Sequence, residues 1–306
     1  MNKSKLLMGG LLSSALVLAA CGDDNGTNVN GDNNNAGNNN SGNNEAAETT
    51  GGEIEIGLNN WAENIAVSNM WKVLLEEQGF DVTLTMSEKA PIWTGIANDD
   101  LDLALEIWLP TTDQHLYEDF EDDIHLHDET WFSGTGLGLV VPEYMDIDSI
   151  EELNDHVDLF DGEIVGIDAG ASLTGLSEEA IEEYELDYNL LVSSEPAMIA
   201  ELDSAYQAEE PVLVTLWNPH WTFSDYDLKY LEDPKNVFGE PEDIYYMSRQ
   251  GFEDDHPEVI EWLNNWEMDD ETLGELMSVI NDLDDEEEGA QQWVEDNRDL
   301  VDEWIQ

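Results

Sequence analysis

Three tryptophans stand just beyond short apolar runs. Residues 53–58 lead through Asn59-Asn60 to Trp61, residues 103–107 lead to Trp108, and residues 211–216 lead to Trp217, where Asn218-Pro219 turns the chain. Apolar runs of this length bounded by turn residues read as buried strands. Open α/β sheets hold ligands beyond the C-terminal ends of their strands, so three indoles can surround one crevice. An indole face is electron-rich and is the best neutral partner for a cation with no N–H to donate. The chemistry that three converging indoles would serve is capture of a quaternary ammonium group. Packing is the ordinary role of a single Trp. Trp71, Trp93, Trp262, Trp266, Trp293 and Trp304 fall in helical patterns and are assigned to it. Trp221 is expected to support the crevice from behind, and Trp131 has no legible role.

Elements of both kinds are needed to position these rings. After the strand at 53–58, residues 63–78 carry apolar side chains at helical spacing, and Gly79 ends the helix. Residues 80–86 alternate as a second strand, 91–99 form a short helix, and the strand at 103–107 follows. This β-α-β-α-β order predicts a parallel sheet covered by helices. Residues 135–142 form another strand, and Pro142 is expected to mark a crossing into a second lobe. There, strands at 162–168, 190–192 and 212–216 alternate with helices at 177–184 and 196–207. Residues 240–249 cross back, and acidic amphipathic helices over 257–266, 270–283 and 289–305 pack on the first lobe. The expected division is 53–142 with 241–306 as lobe 1, and 143–240 as lobe 2.

The charge balance is extreme, with 73 acidic residues against 8 basic ones. Nucleic acid and anionic membrane surfaces are poor partners for such a field. Eleven Trp, nine Tyr and seven Phe exclude a disordered acidic chain, so the charge reads as a surface adapted to high salt, where counterions screen self-repulsion. The N-terminus has a basic Lys3/Lys5 region and an apolar run over 6–20. Leu18-Ala19-Ala20-Cys21 then resembles a bacterial lipoprotein cleavage site. The run is short for a spanning helix, which needs about 20 residues. Residues 1–21 are therefore expected to be a lipoprotein signal ending at an acylated Cys21, the only cysteine, and the Asn/Gly-rich residues 22–52 a disordered tether. No phosphate-binding loop, nucleophile elbow or zinc-protease motif occurs. His125-Leu126-His127-Asp128 could pair ligands on one face of a strand, but is weak evidence for a metal in so acidic a chain. Neither metal nor cofactor is expected.

Trp217-Asn218-Pro219-His220-Trp221 with Asp227-Leu228-Lys229-Tyr230-Leu231 resembles the extracellular glycine betaine/proline betaine-binding proteins of ABC importers. So do Trp108-Leu109-Pro110 and Gly138-Leu139-Val140-Val141-Pro142, and the resemblance covers residues 53–306. It implies a two-lobed, periplasmic-binding-protein-like α/β fold, each lobe a sheet flanked by helices, with the ligand in the interlobe cleft. The implied function is capture of glycine betaine, or a related quaternary ammonium solute, for import in osmoprotection. The implied protein is a monomer without catalytic activity, lipid-anchored to the outer face of the cytoplasmic membrane and delivering to an ABC permease. In the family pattern Trp61, Trp108 and Trp217 form the cation cage, and the backbone N–H groups of Ser172 and Leu173 hold the carboxylate. Asp113 stands where many relatives have a His that touches the carboxylate, and His115 is the expected substitute. Asp113 itself is expected to face solvent or pair with a cation, so that Asp113→His would be neutral or favourable. A receptor for choline, carnitine or ectoine is the near alternative. An extracellular carbohydrate-active enzyme, with Trp platforms and paired carboxylates, is the distant one.

Overall fold

The computed structural model describes residues 51–283 and 285–306. The expected signal, Cys21 and nearly all of the tether lie outside the described residues. The chain opens with β1 (Gly52–Leu58), α1 (Ala62–Glu77), β2 (Phe80–Met86), α2 (Lys89–Ala97), β3 (Leu103–Leu109), α3 (Gln114–Phe120) and β4 (Ile124–Ser133). It continues through β5 (Gly136–Pro142), a 3-10 segment (Ile150–Leu159), β6 (Glu163–Val165), α4 (Ser172–Glu183), β7 (Asn189–Leu191), α5 (Glu195–Ala208), β8 (Val214–Asn218), α6 (Thr222–Asp225) and β9 (Leu228–Tyr230). Strand β10 (Asp243–Arg249) and helices α7 (Phe252–Asp255), α8 (Pro257–Asn265), α9 (Asp270–Leu283), α10 (Glu286–Asp296) and α11 (Arg298–Trp304) complete it.

Two five-stranded sheets result, ordered β2-β1-β3-β10-β4 and β7-β6-β8-β5-β9. Each lobe is one sheet flanked by helices. Strands β1, β2 and β3 pair in parallel, as their β-α-β-α-β order predicts, but antiparallel strands join both sheets, so neither is wholly parallel. Strand β10 enters from the second lobe, at the end where β3 leaves, and so runs antiparallel to both β3 and β4. Strand β5 runs antiparallel to β8 from Gly136↔Asn218 to Val140↔Val214. It thus belongs to the second sheet, and the chain changes sheets at 134–135, ahead of the expected crossing at Pro142. The reason is length: β4 ends at Ser133, and Gly134, at φ +86°, turns the chain at once.

The crossing is pinned to the returning segment. The N–H groups of Gly134 and Thr135 both donate to the Glu242 carbonyl at 3.0 Å. The Glu242 carboxylate reaches the other way and accepts from the Thr112 N–H at 3.0 Å, from the Thr111 N–H and from the Thr112 hydroxyl.

Packing explains the helical tryptophans. Trp71 meets Trp266 edge-on at 5.5 Å, and Trp266 stacks on Trp131 at 4.3 Å with planes 8° apart. Such pairs contribute about 0.5–1.5 kcal/mol beyond their buried area. Trp131 acquires a further role from strand irregularity. The pairing of β10 with β3 shifts between Tyr245↔Ile107 and Met247↔Ala104, leaving Leu105 and Glu106 opposite Tyr246. Two residues facing one is a β-bulge, which re-aims side chains and frees ladder groups. The Trp131 indole N–H donates to the Leu105 carbonyl at 2.7 Å and satisfies it.

Candidate functional site

The C-terminal ends of β1, β3 and β8 meet the N-terminus of α4, and there the side chains converge. Trp61 follows β1 and occupies the position before the first turn of α1. Trp108 and Trp217 are the penultimate residues of β3 and β8. All three are buried, and the Trp61 and Trp217 rings lie 6.5 Å apart at 60°. They line one small cavity, partly open to solvent, together with Glu63, Lys89, Glu106, Thr112, Leu137, Ile167, Ala171, Ser172 and Leu173.

Ser172 and Leu173 are the first two residues of α4, a twelve-residue helix that begins five positions before the start expected from its apolar pattern. Their N–H groups precede the first intrahelical bond and have no partner among the described residues. The helix end therefore presents two free donors to the cavity, a ready site for a carboxylate to accept from.

His115 does not join this group. It is exposed on α3 and absent from the cavity wall. Helical spacing is the cause: Asp113, Leu116 and Tyr117 share the inward face three and four residues apart, and His115 points away. Asp113 is the inward residue, fully buried, and its Oδ2 accepts the Trp108 N–H at 2.8 Å. The same oxygen pairs with Lys89 Nζ at 2.7 Å. Of the two expected fates, it pairs with a cation. An imidazole at position 113 would face the Lys89 ammonium without a compensating charge, so the geometry gives no support to the expectation that Asp113→His is neutral.

Lys89, Glu63 and Glu106 were missed as site residues. Lys89 is 4% exposed, and its ammonium stands 5.0 Å over the Trp61 ring. Burial works against that charge, but Asp113 and Glu106 outweigh it and leave the Lys89 pKa above its ordinary value. Glu106 is aimed inward by the bulge, and its Oε1 accepts the Trp108 indole N–H at 3.0 Å. Burial pushes Glu106 up to about 7 against the opposing pull of Lys89. Glu63, in the first turn of α1, is raised well above the usual carboxyl range by burial and then by Glu106 and Glu195. A sequence signal existed: Glu106 is the lone charge in an apolar run, and Lys89 is one of only eight basic residues.

Groups from both lobes interlock around the cage. The Trp61 indole N–H donates to Asp168 Oδ2 at 3.1 Å. Glu195 at the start of α5 accepts the Ala62 N–H at 3.0 Å and lies 3.1 Å from His220 Nε2. The His220 ring meets Trp217 edge-on at 4.8 Å and stacks on Trp221 at 5.7 Å, which places Trp221 behind the cage. Glu88 and Asp168 face each other across the cleft, and the Asp168 charge raises the Glu88 pKa. Away from this site, His125 Nδ1 lies 2.8 Å from a Glu253 oxygen and His127 Nε2 lies 3.0 Å from Ser248 Oγ. The ligand atoms of His125, His127 and Glu253 lie within 4.8 Å of one another, with His127 Nε2 also at hydrogen-bond distance from Ser248 Oγ.

Comparison with known proteins gives concordant relatives. Residues 52–296 match the OpuAC family, the substrate binding domain of ABC-type glycine betaine transport systems. Over 144 residues the chain is 41% identical to the glycine betaine/carnitine transport binding protein GbuC of Listeria monocytogenes serotype 1/2a (strain 10403S). That match covers 46% of this chain and 48% of GbuC, so it spans about half the length of that relative. The crystal structure of lactococcal OpuAC, closed and complexed with glycine betaine, is similar with a TM-score of 0.78 and 31% identity, covering 83% of this chain and 99% of that one. The glycine/betaine/L-proline-binding protein ProX from Borrelia burgdorferi is similar with a TM-score of 0.79 and 33% identity, covering 83% and 97%.

Proposed function

The chain belongs to the family of substrate-binding domains of ABC-type glycine betaine transport systems, and from that premise we propose that it captures glycine betaine outside the cytoplasmic membrane and delivers it to an importer. One observation carries this reading: Trp61, Trp108 and Trp217 line a single cavity whose other wall is the N-terminus of α4. The ligand's trimethylammonium group lies among the indole faces, where dispersion and ring electrostatics replace the hydrogen bonds it cannot make. Its carboxylate accepts from the Ser172 and Leu173 N–H groups, aided by the helix dipole. With the cage built from β1 and β3 of one sheet and from β8 of the other, binding and lobe closure are one event.

No helix among the described residues is long and apolar enough to cross a membrane. Attachment is assigned to an acylated Cys21, with residues 22–52 as the tether and the permease of an ABC transporter as the partner. The lobes are divided at the sheets, with residues 52–133 and 243–304 in one and 136–230 in the other. A calorimetric panel of glycine betaine, choline, carnitine and ectoine tests the ligand assignment. Betaine is expected to bind most tightly. Alanine at Trp61, Trp108 or Trp217 should each weaken it by about 0.5–2 kcal/mol, with Tyr or Phe retaining more. Unchanged betaine binding in all three Ala variants, or no binding by the wild type, would overturn the assignment.

A further inference from the structure

The cage has an anionic floor that betaine recognition by indoles and backbone N–H groups does not require. We propose that Glu63 and Glu106 hold one proton between them in the ligand-free site and release it to solvent when a permanently charged ammonium enters, so that capture is coupled to proton release. The inference rests on the functional reading above and adds a regulation of the same site.

Geometry supports it first. Both side chains line the cavity, on α1 and on the bulge of β3, and both residues are at least 96% buried, with relative exposures of 1% and 4%. Each has one carboxyl oxygen, Oε2, sealed from solvent without a hydrogen-bond donor among the described residues. Two carboxylates so placed repel, whereas one carboxylic acid and one carboxylate satisfy each other with a single O–H···O bond. The Trp217 indole N–H, otherwise without a partner among the described residues, offers Glu63 one neutral donor, but the surrounding charges are committed elsewhere. Lys89 on α2 faces the pair, but its ammonium is bound to Asp113 at 2.7 Å. Glu195 on α5 and His220 after β8 are engaged with each other at 3.1 Å, and Asp168, before α4, holds the Trp61 N–H beside Glu88. One ammonium therefore stands against three carboxyls in the floor, those of Asp113, Glu63 and Glu106. The raised pKa of Glu63 and the Glu106 value of about 7 are consistent with a proton resident near neutrality.

A quaternary ammonium brings a positive charge that cannot be neutralised by losing a proton. Its field favours two carboxylates over one, the acid O–H breaks, and the proton passes to buffer. Binding then lowers the pair's pKa, so affinity rises with pH, by at most tenfold per unit for one proton. Choline, which carries no carboxylate to offset its charge, should be coupled more strongly than glycine betaine.

Titration calorimetry of the full chain at pH 7, in buffers of differing protonation enthalpy, reads the number of protons exchanged. Glycine betaine and choline serve as probes, since neither has a group that titrates in this range. The expected result is a measurable fraction of one proton released per ligand, larger for choline, and lost in Glu106→Gln. Should that variant fold poorly, the wild-type stoichiometry and the pH dependence of Kd between pH 6 and 8 decide alone. Betaine binding with no proton exchange and a flat Kd over that range would overturn the inference while leaving the functional reading intact. No binding of either probe would overturn both.

Discussion

Asp113→Ala is the most informative single change in this chain. The wild-type carboxylate has no solvent exposure, lies 2.7 Å from an ammonium that is itself 4% exposed, and accepts the Trp108 N–H at 2.8 Å. Alanine would leave Lys89 buried without its nearest anion, a loss that costs about 3–5 kcal/mol in such pairs. It would also orphan a backbone donor, which by itself costs about 1–3 kcal/mol. Glu106 remains near Lys89 and takes up part of the charge, so the sum is not reached, and a net loss of about 3–5 kcal/mol is expected. Asp113→Asn keeps an oxygen for the Trp108 N–H and should be milder by about 1–3 kcal/mol. Urea unfolding at constant molar NaCl, followed by Trp fluorescence, measures the difference. With a slope of about 3 kcal/mol per molar urea, the midpoint of Asp113→Ala should fall by about 1–2 M. Lys89→Met combined with Asp113→Asn should be more stable than the two single losses predict, because neither charge is then stranded. A midpoint for Asp113→Ala within error of wild type, or strict additivity in the double variant, would refute the account of Asp113 as the counter-ion that lets Lys89 stand beside the cage.

Other outcomes follow from features already described. Cys21→Ala should move the protein from the membrane to a soluble fraction; a full-length variant that stays membrane-bound would exclude the lipid anchor. Every Lys and Arg in the described residues is already engaged: Lys72, Lys89, Lys229, Arg249 and Arg298 by carboxylates, Lys235 by the Glu183 carbonyl and the Tyr184 ring. The remaining carboxylates repel without local compensation, so the thermal midpoint should climb from low to molar NaCl, by about 2–4 °C per kcal/mol of repulsion relieved. A flat midpoint would count against salt adaptation. Burial, aided by His125, lowers the His127 pKa to about 4. Its folded value lies below the unfolded value of about 6.5, so the stability it contributes is present above pH 6.5 and lost as pH falls toward 4, by up to about 3 kcal/mol. His127→Gln should flatten that part of the pH–stability curve, and an unchanged slope would show that His127 does not cause it.

The convergence of Trp61, Trp108 and Trp217 on one cavity was legible because each follows an apolar run whose end is marked by a turn, a local signal that needs no knowledge of partners. The start of α4 was legible only through family resemblance, since Ser172 and Leu173 carry no apolar periodicity of their own. Strand β4 was hidden for a different reason. It is an edge strand, Ile-His-Leu-His-Asp-Glu-Thr-Trp-Phe-Ser, and its pairing with β10 shifts register twice, so no single alternation runs its length. The sheet to which β5 belongs was not legible at all, because a buried strand is apolar in either one. The floor of the site was hidden by distance along the chain: Lys89 is a charged residue just ahead of a predicted helix, Asp113 falls where no element is predicted, and exposure is the ordinary expectation for both. Only the structure shows that helical phase turns Asp113 inward and His115 outward.

Glu242 gives the crossing between lobes a say in affinity. Its carbonyl fixes Gly134 and Thr135 where the chain leaves the first sheet, and its carboxylate fixes Thr111 and Thr112, the latter in the cavity wall. The fraction of molecules already closed multiplies the apparent affinity of every ligand by the same factor. Gly134, at φ +86° with no atom within 4 Å of a would-be Cβ, can be changed to Ala at a cost in backbone strain and without a clash. That substitution should shift the Kd values for betaine and choline in parallel and leave their ratio alone, whereas a change in the cage should alter the ratio. Selection acting on a solute scavenger thus has two separate dials, one for what is bound and one for how tightly, and the second includes Gly134 and Glu242, which lie outside the cavity wall.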